Sequence, residues 1–522
     1  MSSKNEKLQR YVRIITEKVA PHSSDDPKIS VSEVSSALAF YYEKIRNIID
    51  YQDEHLLRQS AIKRILGRRL IFQESRADIA DALLKELIRS RYFSNNTILA
   101  SQTKLLTQIL DVYIGVAEKL REQHKLSEKD EEWLLGMASC AIDELLSPLT
   151  KEEALVHLMY ETLVDDVESG QVEEKLRRQQ VYIAAYRVLL RPDITRLRFF
   201  VLKHTYPEWI RGESQDIDVL VEGYERTKSA LAALIKHPLN RRLSQAFRRF
   251  RIPFFVLHTI VKKHGAAILE EGAAFEAEIR RLCESLYQMQ KKRLISRAIR
   301  AFVYIFLTKM VLGFAIELPY DILMLGSVNV LPLIVNIVFP PMLLLAITLS
   351  VKFPGKDNTE MISQAIKEIA NTSERHTVFV SQHYNDKKRS LVLTGIFTLL
   401  HLALFAVSFG IIIRVLQYLH FNSASGIIFI LFVCLITFFG VSLRRSIGDF
   451  IIVKARPSLT ALFFDSFFLP IIQVGRWLSF NISKINVFIF LFDVLIELPF
   501  QALVEITEEW FSFLKEKKED ID

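Results

Sequence analysis

Apolar residues recur at helical spacing in nearly every segment before residue 300, and no stretch there shows the alternation typical of a β-strand. The stretch from Asn96 to His124 is an example. Its apolar residues at three- or four-residue spacing form one stripe: Ile98, Leu105, Ile109, Val112, Val116 and Leu120. Such a stripe packs against a core. The pattern predicts an all-α fold for residues 1–295.

Helix starts are marked by a hydroxyl residue followed three positions later by an acid, which is the capping box. Thr150 with Glu153 fits this pattern, and Ser127 with Asp130 is a weaker variant. The polar stretch 21–30 breaks the helical pattern. It predicts a flexible linker between the first helix and the rest of the domain.

Long apolar runs replace this pattern after residue 300. A helix of about 20 apolar residues crosses the roughly 30 Å hydrocarbon core of a bilayer. Candidate spans lie at 301–322, 328–350, 391–416, 425–443, 457–475 and 485–506. The fifth contains Asp465 and Pro470, so a re-entrant or interfacial segment is an alternative. The sequence predicts a polytopic α-helical transmembrane domain of four spans, or of six if the last two also cross.

The predicted organisation follows from these runs. It comprises a soluble cytosolic all-helical domain at 1–295, a first transmembrane helix pair at 296–350, a cytosolic loop with a short helix at 351–390, further transmembrane helices at 391–508 and a charged tail at 509–522.

Lysine and arginine orient the predicted spans, because short loops rich in these residues stay in the cytoplasm. They cluster at 291–300, 351–390 and 444–456, whereas 417–425 contains none. The N-terminus has no apolar stretch followed by a cleavage site, as a secretory signal would. We expect a multi-pass protein of the plasma or inner membrane, with a cytoplasmic N-terminus and, for six spans, a cytoplasmic C-terminus.

Composition agrees with two unlike parts, since the 522 residues are 50% hydrophobic and 24% charged. The net charge of +7 is explained by basic residues flanking spans, so no nucleic-acid partner is expected. Cys140, Cys283 and Cys434 lack disulfide-framework or metal-site spacing. They are expected to be free buried thiols in a reducing compartment.

Two basic clusters precede the first span. The first is interleaved with phenylalanines, and the second leads into residue 301. The cations are Arg241, Arg242, Arg248, Arg249, Arg251, Lys291, Lys292, Arg293, Arg297 and Arg300. Cations beside the apolar side chains of Phe247, Phe250, Phe254 and Phe255 suit an anionic bilayer surface. The predicted partners are therefore the lipid bilayer and anionic headgroups. A solvated helix end is one alternative, and contact with nucleic-acid phosphates is another.

Charged residues within the apolar runs are the main candidate site. If the first span begins at Ala301, Lys309 lies about 12 Å deep, and Glu317 and Asp321 lie about 24 and 30 Å along, towards the far surface. In the last span, Asp493 and Glu497 lie about 12 and 18 Å from Ile485. Buried charges are costly unless paired, so Lys309 is predicted to pair with Asp493 or Glu497, as a structural contact or part of an ion path.

The sequence contains no P-loop, GxGxxG, HExxH, EF-hand or GxSxG motif, and we expect no enzyme activity, cofactor or metal. Two functions remain. The first is a membrane-anchored interaction or scaffold protein that binds a cytosolic protein partner. The second is a channel or secondary transporter whose cation path is lined by Asp493 and Glu497. The first needs only the features already described and is preferred.

Overall fold

The structure, a computed structural model, describes residues 3–17, 26–31, 54–71, 75–167, 172–211, 217–325, 330–351, 353–370, 391–448, 451–452 and 459–484. All regular secondary structure in these ranges is helical, as predicted. The chain divides into two compact units, one mainly from Glu6 to Phe247 and one mainly from Arg248 onward. This is a packing boundary. The predicted change from soluble to membrane-embedded chain near residue 295 concerns the surroundings and stays a prediction.

The helices before residue 248 are α1 Ser3–Thr16, α2 Glu54–Ile71, α3 Arg76–Arg89, α4 Ser101–Glu122, α5 Glu128–Leu146, α6 Thr150–Leu163, α7 Glu174–Leu190, α8 Ile194–Thr205, α9 Glu208–Arg211, α10 Ile217–Lys236 and α11 Pro238–Phe247. Their apolar faces form the core of the N-terminal unit. Within it, Trp133 packs edge-on against Trp209 and Tyr224, with ring centroids 6.1 and 5.6 Å away. The buried carboxylate of Asp143 accepts hydrogen bonds from Arg58 and Arg196.

The predicted stripe along α4 is wrong at Leu105, whereas Ile98 before the helix is buried and Ile109 is half-buried. Val112, Val116 and Leu120 are buried, but Leu105 is 47% exposed. Leu106 and Leu110 are buried in its place. The apolar positions of this helix allow two neighbouring stripes, and packing against α5 and α3 selects between them.

The weaker of the two capping boxes is the one that forms. The Ser127 and Asp130 side chains each accept a hydrogen bond from the other residue's backbone N–H, at 3.3 and 3.1 Å. Burial opposes ionisation of Asp130. However, hydrogen bonds from Lys228, Ser127 and Tyr224 outweigh it and hold the pKa of Asp130 at about 2. At α6 no side chain caps the first turn, so the prediction for Thr150 was wrong.

Part of the predicted linker is held in place. Residues 26–31 are described, and there Ile29 N–H donates to Ile98 O while Ala100 N–H donates to Pro27 O, over 2.9 and 2.8 Å. The Asn95 side chain exchanges two hydrogen bonds with the Val31 backbone, each 3.0 Å long. These bonds tie residues 27–31 to the segment that leads into α4, and the predicted linker between the first helix and the rest stays a prediction. Residues 21–25 lie outside the described chain.

The helices from residue 251 onward are α12 Arg251–His264, α13 Gly272–Leu312, α14 Val330–Leu349, α15 Lys356–Ala370, α16 Leu391–Tyr418, α17 Ser423–Gly448 and α18 Leu459–Lys484. After α13 the chain continues as two π-helical segments, Gly313–Glu317 and Asp321–Leu325, separated by one α-helical turn that contains Pro319. Buried apolar residues of α13, α14 and α17 pack together.

Three described helices are long and apolar enough to cross a bilayer: Val330–Leu349, Gly395–Tyr418 and Ser423–Arg444. They coincide with the second, third and fourth predicted spans. The first predicted span forms the end of α13 and the π-helical segments, and the fifth lies in α18, a helix of 26 residues that contains Pro470. The sixth, 485–506, lies outside the described residues.

Exposure of large apolar side chains changes sharply along the described chain. Five of the exposed ones precede residue 290, and thirty-four follow it. On α13 the exposed residues Ile295, Ile299, Val303, Leu307 and Val311 recur every four positions, with 44% to 65% of each residue exposed. That spacing places them along one face of the helix.

Candidate functional site

The C-terminal unit encloses a polar cluster of Lys309, Asn336 and Glu317. The Lys309 ammonium donates to Asn336 Oδ1 over 2.7 Å, and Asn336 Nδ2 donates to Glu317 Oε1 over 2.5 Å. Lys309 Nζ also lies 4.0 Å from Glu317 Oε1 and 4.2 Å from the ring centroid of Phe432, within cation–π range. Because Lys309 and Asn336 are 0% exposed and Glu317 is 4% exposed, the amide bridges a buried cation and a buried anion.

Three neighbouring segments position this cluster. Lys309 lies in the last turn of α13, Glu317 ends the first π-helical segment, and Asn336 lies within α14. Lys309 and Glu317 are eight positions apart, which corresponds to a rise of about 12 Å along an α-helix. Their long side chains span this distance because the amide of Asn336 lies between them. The first π-helical segment and α14 pack closely here, because a Cβ on Gly313 would lie 3.4 Å from the side chain of Ile337, in van der Waals contact.

A second polar contact ties Asp321 to the turn between α16 and α17. Asn422 Nδ2 donates to Asp321 Oδ1 over 2.6 Å. Asn422 Oδ1 in turn accepts from the backbone N–H of Ser425 over 2.7 Å, at the start of α17. Asp321 is 5% exposed. This contact joins the far end of the first predicted span to the predicted external loop.

The opposite ends of the helices meet in a separate network. Asn358 in α15 donates through Nδ2 to the Tyr287 hydroxyl of α13 over 2.8 Å, and Asn358 Oδ1 accepts from the Ile452 N–H over 2.9 Å. Lys367 of α15 also pairs with Glu276 of α13 at 2.6 Å. Burial raises the pKa of Tyr287, while the hydrogen bonds from α15 act in the opposite direction. The segment that follows the second predicted span thus contacts the part of α13 that precedes the first, and the segment that follows the fourth contacts α15.

The predicted basic clusters are largely exposed. Arg241, Arg242, Arg248, Arg249, Lys291, Lys292, Arg293 and Arg300 are exposed, and Arg251 and Arg297 are half-buried. The predicted role of the phenylalanines as lipid anchors is wrong for three of the four. Phe247, Phe250 and Phe254 are buried in the protein, whereas Phe255 is 42% exposed.

Asn336 was missed by sequence reasoning, although it is the only amide side chain within the apolar run of α14. Such a residue needs a hydrogen-bond partner, and this requirement was the available signal. Glu317 was predicted near the bilayer surface, where charge costs little, but its side chain turns inward to Asn336. Asp493 and Glu497 lie outside the described residues, so their predicted pairing with Lys309 stays a prediction.

No protein-family model matches the chain, and no match was found among curated proteins or solved structures.

Within the described residues, no three His, Cys, Asp or Glu side chains are grouped so that they could hold a metal ion. The described thiols of Cys140, Cys283 and Cys434 are buried and free, as expected. The Lys309 cluster is closed and carries no net charge. Lys309 and Glu317 each hydrogen-bond to Asn336, and the ammonium of Lys309 has no exposed surface.

Proposed function

We propose that the chain is a multi-pass membrane protein that anchors an interaction domain at the cytoplasmic face of the plasma or inner membrane. The observation that carries this proposal is the exposed apolar face of α13 that begins at Ile295. In water such a face would be costly, at about 25 cal/mol for each Å² of apolar surface. In a bilayer it contacts acyl chains, and the exposed cations at 291–300 lie where the helix would enter the headgroups.

The contacts between helix ends support the proposed topology. Basic-residue counts place 291–300, 351–390 and 444–456 inside and 417–425 outside. In the structure, Asn358 joins Tyr287 to Ile452, which brings together chain on the inside flanks of three spans. Asp321 contacts Asn422 at the other ends. Charge counting and side-chain contacts are independent, and both favour the same two-sided arrangement.

Anionic lipid headgroups are proposed partners of the exposed cations on α13. Lys291, Lys292, Arg293 and Arg300 are exposed around Ile295, where the apolar face with four-residue spacing begins. A juxtamembrane cluster of this kind attracts acidic lipids by about 1 kcal/mol for each cation near the surface. Native mass spectrometry of the chain purified in mild detergent should retain acidic lipids, and fewer of them after charge reversal at Lys291, Lys292 and Arg293.

The scaffold function is supported by the Lys309 cluster being fully paired. A transport path needs charges that water or substrate reaches, whereas Lys309 is 0% exposed and held by Asn336 and Glu317. The cluster then locks α13 against α14, and the large N-terminal unit carries the contacts with a cytosolic protein partner.

Transport is the second candidate, favoured by the two π-helical segments that hold Glu317 and Asp321 around Pro319. π-Helical turns are frequent at functional sites, and interrupted helices build ion sites in transporters. In this alternative the predicted cation path also includes Asp493 and Glu497.

Two measurements test the proposal. The chain in native membranes should resist extraction by alkaline carbonate, and release by carbonate would contradict membrane integration. After reconstitution, liposomes should show no more Na⁺, K⁺ or H⁺ flux than empty ones. A flux that disappears in Asp493→Asn and Glu497→Gln, but persists in a surface control such as Lys292→Gln, would replace the scaffold function with transport.

A further inference from the structure

A pocket of about 560 Å³ lies in the N-terminal unit between α6, α7, α8 and α10. Ligand sites in proteins commonly measure about 300 to 1,000 Å³. The interior is apolar and aromatic, with Tyr160, Tyr182, Phe200 and Leu234 among the residues that line it. Because every lining residue belongs to the N-terminal unit, the chemistry of the pocket is independent of the membrane proposal.

The rings of Tyr160, Tyr182, Phe200 and His204 form one wall of the pocket, called the aromatic wall below, and their contacts with each other hold them in place. Tyr182 lies at its centre, with ring centroids 5.2 Å from Tyr160, 5.1 Å from Phe200 and 5.0 Å from His204. Tyr186 stacks on Phe200 at 3.6 Å. The three centroid distances around Tyr182 lie in the range in which aromatic pairs pack favourably. The wall therefore offers a preorganised surface for a flat apolar group.

A hydrogen-bond chain sets the orientation of Tyr182. His204 Nδ1 lies 2.8 Å from the Phe200 carbonyl oxygen, which only accepts, so Nδ1 carries a proton. In neutral His204 the other nitrogen, Nε2, then accepts from the Tyr182 hydroxyl at 3.2 Å. The hydroxyl proton of Tyr182 is thereby directed to His204 and not into the pocket. A ligand meets the ring of Tyr182 and not a free donor.

Charge at the rim decides which ligands fit. Lys175 and Arg178 line the pocket, and none of its described lining residues is Asp or Glu. Arg178 is held by Glu174, with Nε 2.6 Å from Oε1. Lys175 is exposed, and no described residue pairs with its ammonium. An aromatic wall alone would also attract a cation, but the ammonium of Lys175 at the rim, unpaired among the described residues, repels a cation and attracts an anion.

We propose that this pocket binds a small amphipathic anion, whose flat apolar body packs on Tyr182 and whose carboxylate meets Lys175 and Arg178. A second cavity in the same unit offers a contrast. It is lined by Arg76 and Tyr113 and carries three acids among its lining residues. Charge complementarity therefore distinguishes the site between α6 and α7 from this larger cavity.

The test uses three probes with one naphthalene body and different charges: 2-naphthoate, 2-naphthylmethanol and 2-naphthylmethylammonium. Equilibrium dialysis is run on the full chain in nanodiscs of zwitterionic lipid, with empty nanodiscs as the blank. Naphthoate should bind at least tenfold more tightly than the ammonium. No retention of naphthoate above the blank, or equal retention of all three probes, would overturn the proposal.

Variants locate the binding. Lys175→Glu should weaken naphthoate binding at least tenfold, while Lys104→Glu, the same charge change on the exposed surface of α4, should leave it unchanged. Leu234→Trp should fill the pocket and remove binding of every probe. Thermal unfolding of each variant checks its fold. Since Lys175 is exposed, a folded Lys175→Glu chain that binds naphthoate as wild type does would refute the assignment.

Discussion

The Lys309 cluster makes a quantitative prediction about the stability of the C-terminal unit. Lys309→Met removes the buried cation and leaves Glu317 with only the amide of Asn336. At the 4.0 Å between Nζ and Oε1, an effective dielectric constant of about 20 gives an attraction of about 4 kcal/mol. Breaking a buried pair from one side costs about 3–5 kcal/mol because the other charge is left uncompensated. We expect Lys309→Met to destabilise the chain by about 3–5 kcal/mol.

The double variant separates charge from packing. With Lys309→Met and Glu317→Gln together, no uncompensated charge remains, and Gln and Asn still hydrogen-bond. Replacing a whole buried pair is often close to neutral. The double variant should therefore be at least about 2 kcal/mol more stable than Lys309→Met alone.

Pulse proteolysis of the full chain in mixed micelles, titrated with SDS, measures these differences. Lys292→Met serves as the control because Lys292 is an exposed lysine on the same helix. The reasoning would be refuted if Lys309→Met were no less stable than Lys292→Met. It would also be refuted if the stability lost in the double variant equalled the sum of the losses in Lys309→Met and in Glu317→Gln.

Three further predictions rest on individual positions. A Cβ on Gly475 would lie 2.0 Å from a backbone carbonyl oxygen of α17, so Gly475→Ala should lower stability by about 1–3 kcal/mol or more. Gly410→Ala should leave stability unchanged, because a Cβ there meets open space. Equal SDS midpoints for the two variants would contradict this prediction. Burial raises the pKa of Cys283 to about 12 and also raises that of Cys140. These two thiols should therefore react with iodoacetamide at pH 8 roughly 1,000-fold more slowly than an exposed cysteine. Reaction at the rate of an exposed cysteine would disprove their burial. The pKa of Asp130 is about 2 in the folded chain and about 3.9 in the unfolded chain. The stabilising contribution of Asp130 is therefore full above pH 4 and is lost as pH falls towards 2. In Asp130→Asn the urea midpoint should fall less than in wild type between pH 4 and pH 2.

Helical periodicity predicted where helices lie, and it predicted their buried faces less well. The four candidate spans between 328 and 475 correspond to described helices, because length and apolar content are properties of the sequence itself. In α4 the sequence allowed either Leu105 or Leu106 to face the core. Only the neighbouring helices distinguish the two, and their positions depend on the whole fold.

The candidate site was half predictable for a similar reason. Lys309 was identified because a lysine in an apolar run needs a partner. Its described partner Glu317 was assigned elsewhere, since an estimate of depth from the rise per residue places it about 12 Å further along the axis. That estimate follows the backbone and neglects the reach of two long side chains. It also cannot foresee Asn336, which arrives from a different helix.

Substituted-cysteine labelling on intact cells tests the proposed membrane topology most directly. Ser423→Cys lies at the exposed start of α17, and Lys292→Cys and Asp357→Cys lie at exposed positions of α13 and α15. A membrane-impermeant maleimide should label Ser423→Cys on intact cells, and the other two only after permeabilisation. Labelling of all three from the same side, or of Asp357→Cys together with Ser423→Cys, would contradict a chain that crosses the bilayer as proposed.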